Sequence, residues 1–234
     1  MKNVPINPDD SGLFDLKTDF LDDTLKQQVI NTINAQKRAA QQAITNYLPI
    51  DSALDEVTTE KLQAMINAGE DVHGISTNRQ ISNVICFGEK KIKDAILDDD
   101  VAQLRHAVDQ SLSERLQTIF NCNHRLSIAS SGHFWYPKGS FMGWHTNSGA
   151  PGWRIYINYA EQPGESFFRY RHQATGEIIT LQDDVWNMRV FRVTSENPLW
   201  HCVYSNTNRF SLGYVVKIPG GKRRLLDRIT QLFN

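Results

Sequence analysis

The chain changes its hydrophobic rhythm near His124, and that change limits the architectures open to it. Before it, apolar residues recur at the helical period. Leu25, Val29 and Ile33 repeat every four residues, and Ala40, Ile44 and Tyr47 prolong the stripe to the stop at Pro49. A second helix is expected from Thr58 to Ala68, and a third along Val101, Leu104, Val108, Leu112 and Leu116. Between them, Ile81 to Phe87 reads as a strand closed by Gly88. After His124 the runs are short, aromatic and β-branched. Strands are expected over Arg125–Tyr136, Trp153–Tyr159, Ser166–Arg171, Glu177–Leu181, Trp186–Val193, Leu199–Tyr204 and Arg209–Lys217. Breaks such as Pro137-Lys138-Gly139 and Gln162-Pro163-Gly164 separate them. Strands this closely spaced point to a sandwich or barrel. Leu225, Leu226, Ile229, Leu232 and Phe233 then make a closing amphipathic helix. The fold class is therefore α+β with a mainly β core. A helical N-terminal buttress, residues 1–123, packs as one unit on a β-core with a C-terminal helix, residues 124–234.

Composition narrows the function classes. At 234 residues, 40% hydrophobic and 22% charged, the chain has ordinary globular content. No apolar run reaches membrane-span length, and the first ten residues lack the apolar core of a signal peptide. Net charge is −1 with the basic residues scattered, so no nucleic-acid surface is indicated, and Lys222-Arg223-Arg224 reads as a solvated helix start. Three cysteines without a CxxC spacing indicate neither a disulfide framework nor a zinc knuckle. A cytoplasmic location is the expectation. Strand alternation should turn Cys202 away from its neighbour His201 and into core packing.

The chemistry-bearing residues lie in the second half. His145-Thr146-Asn147 follows the Pro137-Lys138-Gly139 turn, and in a strand positions i and i+2 share a face, so His145 and Asn147 can converge on one ion. His201 is a second imidazole. Two imidazoles and one carboxylate on one face of a ferrous ion, with the opposite positions open, make a non-haem iron site. Here Asn147 stands where an acid is expected. Arg209 and Ser211 share a strand face, and a guanidinium fork beside a hydroxyl suits a buried carboxylate. Each residue alone has a plainer reading. His145 alone reads as a structural histidine, Arg209 as an ion-pair partner, and Tyr136 and Tyr156 as half-buried core.

Taken in order, these motifs from Phe134 to Lys217 resemble the iron(II)- and 2-oxoglutarate-dependent oxygenases, in particular their prolyl-hydroxylase-like branch. Tyr136-Pro137-Lys138-Gly139 resembles that branch's tyrosine-containing turn, and His145-Thr146-Asn147 sits at its His-x-Asp position. Tyr156-Ile157-Asn158 resembles its Tyr-Leu-Asn strand, and Pro163-Gly164-Glu165 its Gly-Gly-Glu turn with one glycine missing. His201 fits the distal histidine and Arg209-Phe210-Ser211 the arginine strand. The resemblance implies a double-stranded β-helix, or jelly roll. It implies Fe(II) held by His145, Asn147 and His201, with His145 and His201 as catalytic residues. It implies 2-oxoglutarate as cosubstrate, bound by Arg209, Ser211, Tyr136 and Tyr156. Partners would be 2-oxoglutarate, dioxygen and a prime substrate that the sequence does not identify.

Asn147 leaves three readings open. Its amide oxygen can ligate iron; the position can be left to water, a halide or another acid, as in related halogenases; or catalysis has been lost and a cupin-like binding module remains. Asp183 and Asp184 are candidate substitute acids, although a turn before Trp186 accounts for them. His172 reads as an exposed turn residue and His133 as a possible pocket-lining residue. Trp144, Trp153, Trp186 and Trp200 read as core or pocket wall.

Overall fold

The computed structural model describes residues 6, 7, 10, 12–69, 82–88, 94–123 and 126–217. The expected C-terminal helix and the Lys222-Arg223-Arg224 run lie outside the described residues. The architecture is mainly antiparallel β with a few helices. A strand β1 (Leu13–Lys17) leads into α1 (Asp23–Ala39), a short α2 (Gln41–Thr45), a 3-10 helix (Asp51–Val57) and α3 (Thr59–Asn67). A strand β2 (Ile85–Phe87) and the long α4 (Asp99–Ile119) follow. Eight further strands complete the described chain: β3 (Ser127–Tyr136), β4 (Ser140–His145), β5 (Gly152–Ala160), β6 (Ser166–Arg171), β7 (Ile178–Gln182), β8 (Trp186–Val193), β9 (His201–Ser205) and β10 (Arg209–Lys217).

The strands form two sheets, one ordered β1-β8-β5-β10-β3-β2 and the other β4-β9-β6-β7. From β3 onward the chain crosses between them at every link except β6 to β7, so consecutive strands are mostly not neighbours. Alternation of side chains gives the larger sheet two apolar faces. Trp153, Ile155 and Ile157 of β5, Phe210, Leu212 and Tyr214 of β10, and Met188 and Val190 of β8 pack toward the helices. Leu25, Val29 and Ile33 of α1 and Val108, Leu112 and Leu116 of α4 meet them there, each at most 1% exposed. The opposite face, with Tyr136, Tyr156 and Phe191, meets Met142, Phe168 and Val203 of the smaller sheet. The outer face of the smaller sheet is covered by the 3-10 helix and α3, where Ala53, Val57, Leu62 and Met65 pack on Phe141, Trp144, Trp200 and Cys202. Among the described residues no helix is long and apolar enough to cross a membrane.

Capping explains where the helices begin. Asp22 Oδ1 accepts from Leu25 N at 2.8 Å and Asp98 Oδ1 from Val101 N at 2.9 Å, and Thr58 Oγ1 accepts from Lys61 N at 3.2 Å. Three expectations need correction. The first helix does not run unbroken to Pro49; it ends at Ala40, and the short α2 that follows buries no residue. The first half holds one strand, β1, beyond the one expected. β1 pairs with β8, and β2 with β3, so N-terminal strands close both edges of the larger sheet. β2 is the part of the expected Ile81 to Phe87 strand that pairs, whereas β1 was not among the expected strands. β4 was also absent from the expected strands, because six consecutive buried residues carry no alternation.

His133 faces away from the site. It lies on the helix side of β3, fully buried, with its ring 5.4 Å from that of Tyr214. Burial, reinforced by the nearby Arg105 charge, pushes its pKa down to about 3. The unfolded chain takes up a proton near pH 6.5 that the folded chain refuses until about pH 3, so this residue's contribution to stability is lost as pH falls through that window. His133→Gln should therefore flatten the acid limb of the stability curve by up to ~1.4 kcal/mol per pH unit between those values. Urea unfolding of parent and variant across that range measures it; parallel curves would show that His133 titrates normally.

Candidate functional site

A pocket lies between the two sheets. The larger sheet contributes Gly132, Phe134 and Tyr136 from β3, Tyr156 from β5, and Arg209, Ser211 and Gly213 from β10; the smaller contributes Met142 and His145 from β4 and His201 and Val203 from β9. Six of the seven residues singled out in the sequence, all but Asn147, line this pocket. Two local devices shape it. The β4–β9 register shifts between Met142 and His145, a bulge that lets residues three apart point inward together. Gly213 stands opposite Gly132 across the β10–β3 ladder. A Cβ on Gly213 would lie 2.9 Å from Gly132 O and 3.1 Å from Tyr156 Cε1, so glycine there keeps the floor open.

His145 and His201 are cross-strand partners with ring centroids 4.1 Å apart. Each Nδ1 lies 2.9 Å from a backbone carbonyl two residues back, Gly143 O for His145 and Leu199 O for His201. A carbonyl can only accept, so both Nδ1 atoms carry the proton and both Nε2 atoms present a lone pair. Burial pushes both imidazoles well below their ordinary pKa, His145 to about 4, and for His201 the His145 charge adds to it. Neutral imidazoles with fixed tautomers and convergent Nε2 atoms are what a divalent transition metal requires.

Asn147 comes to this place by a different route from the one expected. It lies beyond the end of β4 with a left-handed backbone, φ 55°, so strand alternation does not orient it. Its Nδ2 is nevertheless 3.4 Å from His201 Nε2. Asparagine tolerates this conformation better than most residues. Among the described residues no cluster of three or more His, Cys, Asp or Glu side chains could hold a metal, so no nearby acid replaces the missing carboxylate.

Asp183 corrects the turn reading. It does lie in the β7–β8 link, but its carboxylate is completely buried between two arginines. Oδ2 accepts from Arg209 Nε and from Ser166 Oγ, both at 2.7 Å, and Oδ1 accepts from Arg189 Nη1 at 2.6 Å. Burial alone would raise this carboxyl, but Arg209 and Arg189 outweigh it and hold the pKa at about 2. The signal was present in the sequence. Ile179 and Leu181 face the core, and the same parity carries Asp183 inward. Arg189 was likewise missed on the inward face of β8.

Arg209 is thus held by one edge and free at the other. Its Nη1 and Nη2 are buried without a hydrogen-bond partner, and its guanidinium lies 4.9 Å from the centroid of the Tyr136 ring. Beside it, Asn158, opposite Ser211 on β5, is buried with neither amide atom bonded. Buried polar atoms without partners call for a water, an ion or a ligand, and those of Arg209 lie on a residue that lines the pocket. Burial raises the Tyr136 and Tyr156 hydroxyls, so both stay protonated as donors. His172 caps its own turn, accepting from Thr175 N at 3.2 Å. None of the four tryptophans singled out lines the pocket; Trp144, Trp153 and Trp200 are core.

No protein-family model and no curated protein matches the chain. Solved structures do. The fold is similar to a Pseudomonas putida prolyl-4-hydroxylase, with 14% identity over 90% of this chain and 94% of that one, TM-score 0.42. It is similar to an oxidoreductase of the 2OG-Fe(II) oxygenase family from Burkholderia pseudomallei, with 14% identity over 76% and 88% of the chains, TM-score 0.43. A collagen prolyl hydroxylase of Paramecium Bursaria Chlorella virus-1 is similar over 70% of this chain and 93% of its own at 10% identity, TM-score 0.36. At these values a likeness assigns neither activity nor ligand.

The open floor gives a direct test. Gly213→Ala forces a methyl against backbone at 2.9 Å and should destabilise the protein by about 1–3 kcal/mol, the usual range for overpacking. The urea midpoint measures it; an unchanged midpoint would mean the two strands part freely at this point.

Proposed function

We propose that this chain is an iron(II)- and 2-oxoglutarate-dependent oxygenase built on a double-stranded β-helix. The observation that carries the reading is the pairing, in one cavity, of two Nε2 lone pairs at one wall with an arginine fork whose outer edge has no partner. In this reading residues 1–123 are the buttress and 124–234 the core of one structural unit. His145 and His201 hold the ion and Asn147 stands at the third position. Arg209 grips the far carboxylate of 2-oxoglutarate, Ser211 shares its strand face, and Tyr136 and Tyr156 donate from the pocket wall. The bound iron would supply dioxygen activation coupled to decarboxylation of 2-oxoglutarate to succinate. The chain's own residues bind and orient the cosubstrate and keep water from the ion.

One observation favours a second reading. With Asn147 in place of an acid and no other acid clustered with the histidines, a binding module that holds a carboxylate without turning it over fits the same pocket. The two readings part on succinate. Purified protein with Fe(II), ascorbate and 2-oxoglutarate should release succinate slowly without prime substrate; release no faster than in metal-free controls across a broad substrate panel would favour the binding module.

Two further outcomes test the residues. His145→Ala and His201→Ala should each abolish stoichiometric Fe(II) or Co(II) binding, while Asn147→Asp should tighten it by adding a negative ligand. Parent-like metal binding in both alanine variants would move the site elsewhere. Arg209→Ala removes a charge-assisted contact worth about 2–5 kcal/mol, so 2-oxoglutarate affinity should fall by roughly tens- to thousands-fold with metal binding intact. Equal affinities by calorimetry would remove Arg209 from the clamp.

A further inference from the structure

We infer that Asp183 is the positioning residue of the carboxylate clamp: it fixes the Arg209 guanidinium by its Nε and aims the Nη1–Nη2 edge at the incoming carboxylate. The inference deepens the proposed function and rests on it for the identity of the ligand.

A guanidinium has five N–H donors in a plane, and an acceptor on Nε leaves the Nη1–Nη2 edge as the one that can take a carboxylate end-on. Asp183 makes that one contact, 2.7 Å from Oδ2 to Nε, and Nη1 and Nη2 have no partner. The carboxylate is itself immobilised. Ser166 Oγ donates to the same Oδ2, and Arg189 Nη1 holds the other oxygen at 2.6 Å. Its backbone is pinned as well, with Asp183 N donating to Ser166 O and Gly164 N to Asp183 O, each at 2.8 Å. The Tyr136 ring fixes the remaining freedom, rotation of the guanidinium out of its plane.

Charge gives a second argument. Two buried arginines against one buried aspartate leave one positive charge over. The next acid, Asp15, stands 4.0 Å from Arg189 at the partly exposed edge strand and on the far side from Arg209. Asp15 can offset Arg189 from that side, whereas Arg209 pairs only with the shared Asp183 among the described acids, and its outer edge is left for a further carboxylate. Had Asp183 only been needed to neutralise Arg209, Arg189 would be superfluous. With Arg189 present, Asp183 is shared, and Arg209 keeps affinity for a further anion.

Asp183→Asn keeps the shape but leaves two like charges buried together, so it can fail to fold. The decisive variant is therefore the pair Asp183→Asn with Arg189→Met, which removes one charge of each sign. In the full-length protein loaded with Ni(II), the double variant should bind metal like the parent while its dissociation constant for 2-oxoglutarate rises at least tenfold. In the Fe(II) enzyme, KM for 2-oxoglutarate should rise with kcat changed less than twofold at saturation. A residue that merely stabilises the fold would lower the unfolding midpoint and leave both constants alone, and that result would overturn the inference. The Arg209 Nε–H resonance, assigned by its loss in Arg209→Lys, is a readout that needs no ligand. It should resist solvent exchange in the parent and exchange fast in the double variant. If the parent binds no 2-oxoglutarate, the functional reading fails, and the positioning of Arg209 stands or falls on that resonance: fast exchange in the parent would overturn it too.

Discussion

The buried carboxylate of Asp183 is the interaction on which the rest of the site depends. It joins four strands across the two sheets: Ser166 from β6 and its own place at the end of β7 on one side, Arg189 of β8 and Arg209 of β10 on the other. Such a group is costly to bury, since each ion loses several kcal/mol of hydration, and apolar residues of equal volume would often hold two sheets together as well. Its place behind the cavity, bonded to the lining residue Arg209, is therefore a statement about what the cavity needs. An apolar seam would have given the sheets adhesion; it would not have given an arginine fixed at one edge and open at the other.

The opposite wall uses backbone rather than charge to the same end. The β4 bulge turns His145 to face His201 across the ladder, and two carbonyls then set both tautomers without spending a side chain. Between the walls, glycines at facing positions of β10 and β3 leave the depth that any larger residue would fill. Sheets paired on both ladders can keep such a hollow because the helices α1 and α4 brace the larger sheet from behind with a continuous apolar layer. Distances within the site are thus set by elements whose own reasons for folding lie elsewhere.

What could be read from the sequence follows the same division. β10 was legible to the residue, because Arg209, Ser211 and Gly213 alternate with Phe210, Leu212 and Tyr214, and the inward set lines the pocket. The three helices were legible in place and face, except that the first stops at Ala40 rather than at Pro49. Where periodicity failed, so did the reading. β4 is buried on both faces and has no alternation, Asn147 sits past its end in a left-handed turn, and β1 is a short strand at a sheet edge. His133 shares its parity with Trp135, which packs on the helix side, so plain alternation from the pocket-facing Phe134 and Tyr136 already turns it away from the pocket. Asp183 was misread for a different reason. Two acids before a strand look like a turn, and only the partners contributed by β6, β8 and β10 make one of them structural.

The substitution of an amide for the expected acid changes the charge balance of the pocket more than its shape. The histidine end is neutral, since burial keeps both imidazoles uncharged and Asn147 brings none, while the arginine end carries one positive charge beyond its aspartate. A divalent ion held by His145 and His201 would therefore enter with no negative ligand from the described residues, in a medium where an unbalanced charge is expensive. A dicarboxylate reaching from Arg209 to the ion would offset charge at both ends at once. In the proposed reading, metal and dicarboxylate thus bind as a coupled pair, each raising the affinity of the other by the same factor. A site with an acid at position 147 would already hold one compensating charge, and its metal would depend less on the second ligand. In that reading Asn147 would not weaken the pocket uniformly; it would shift the burden of holding the ion from the protein to the cosubstrate.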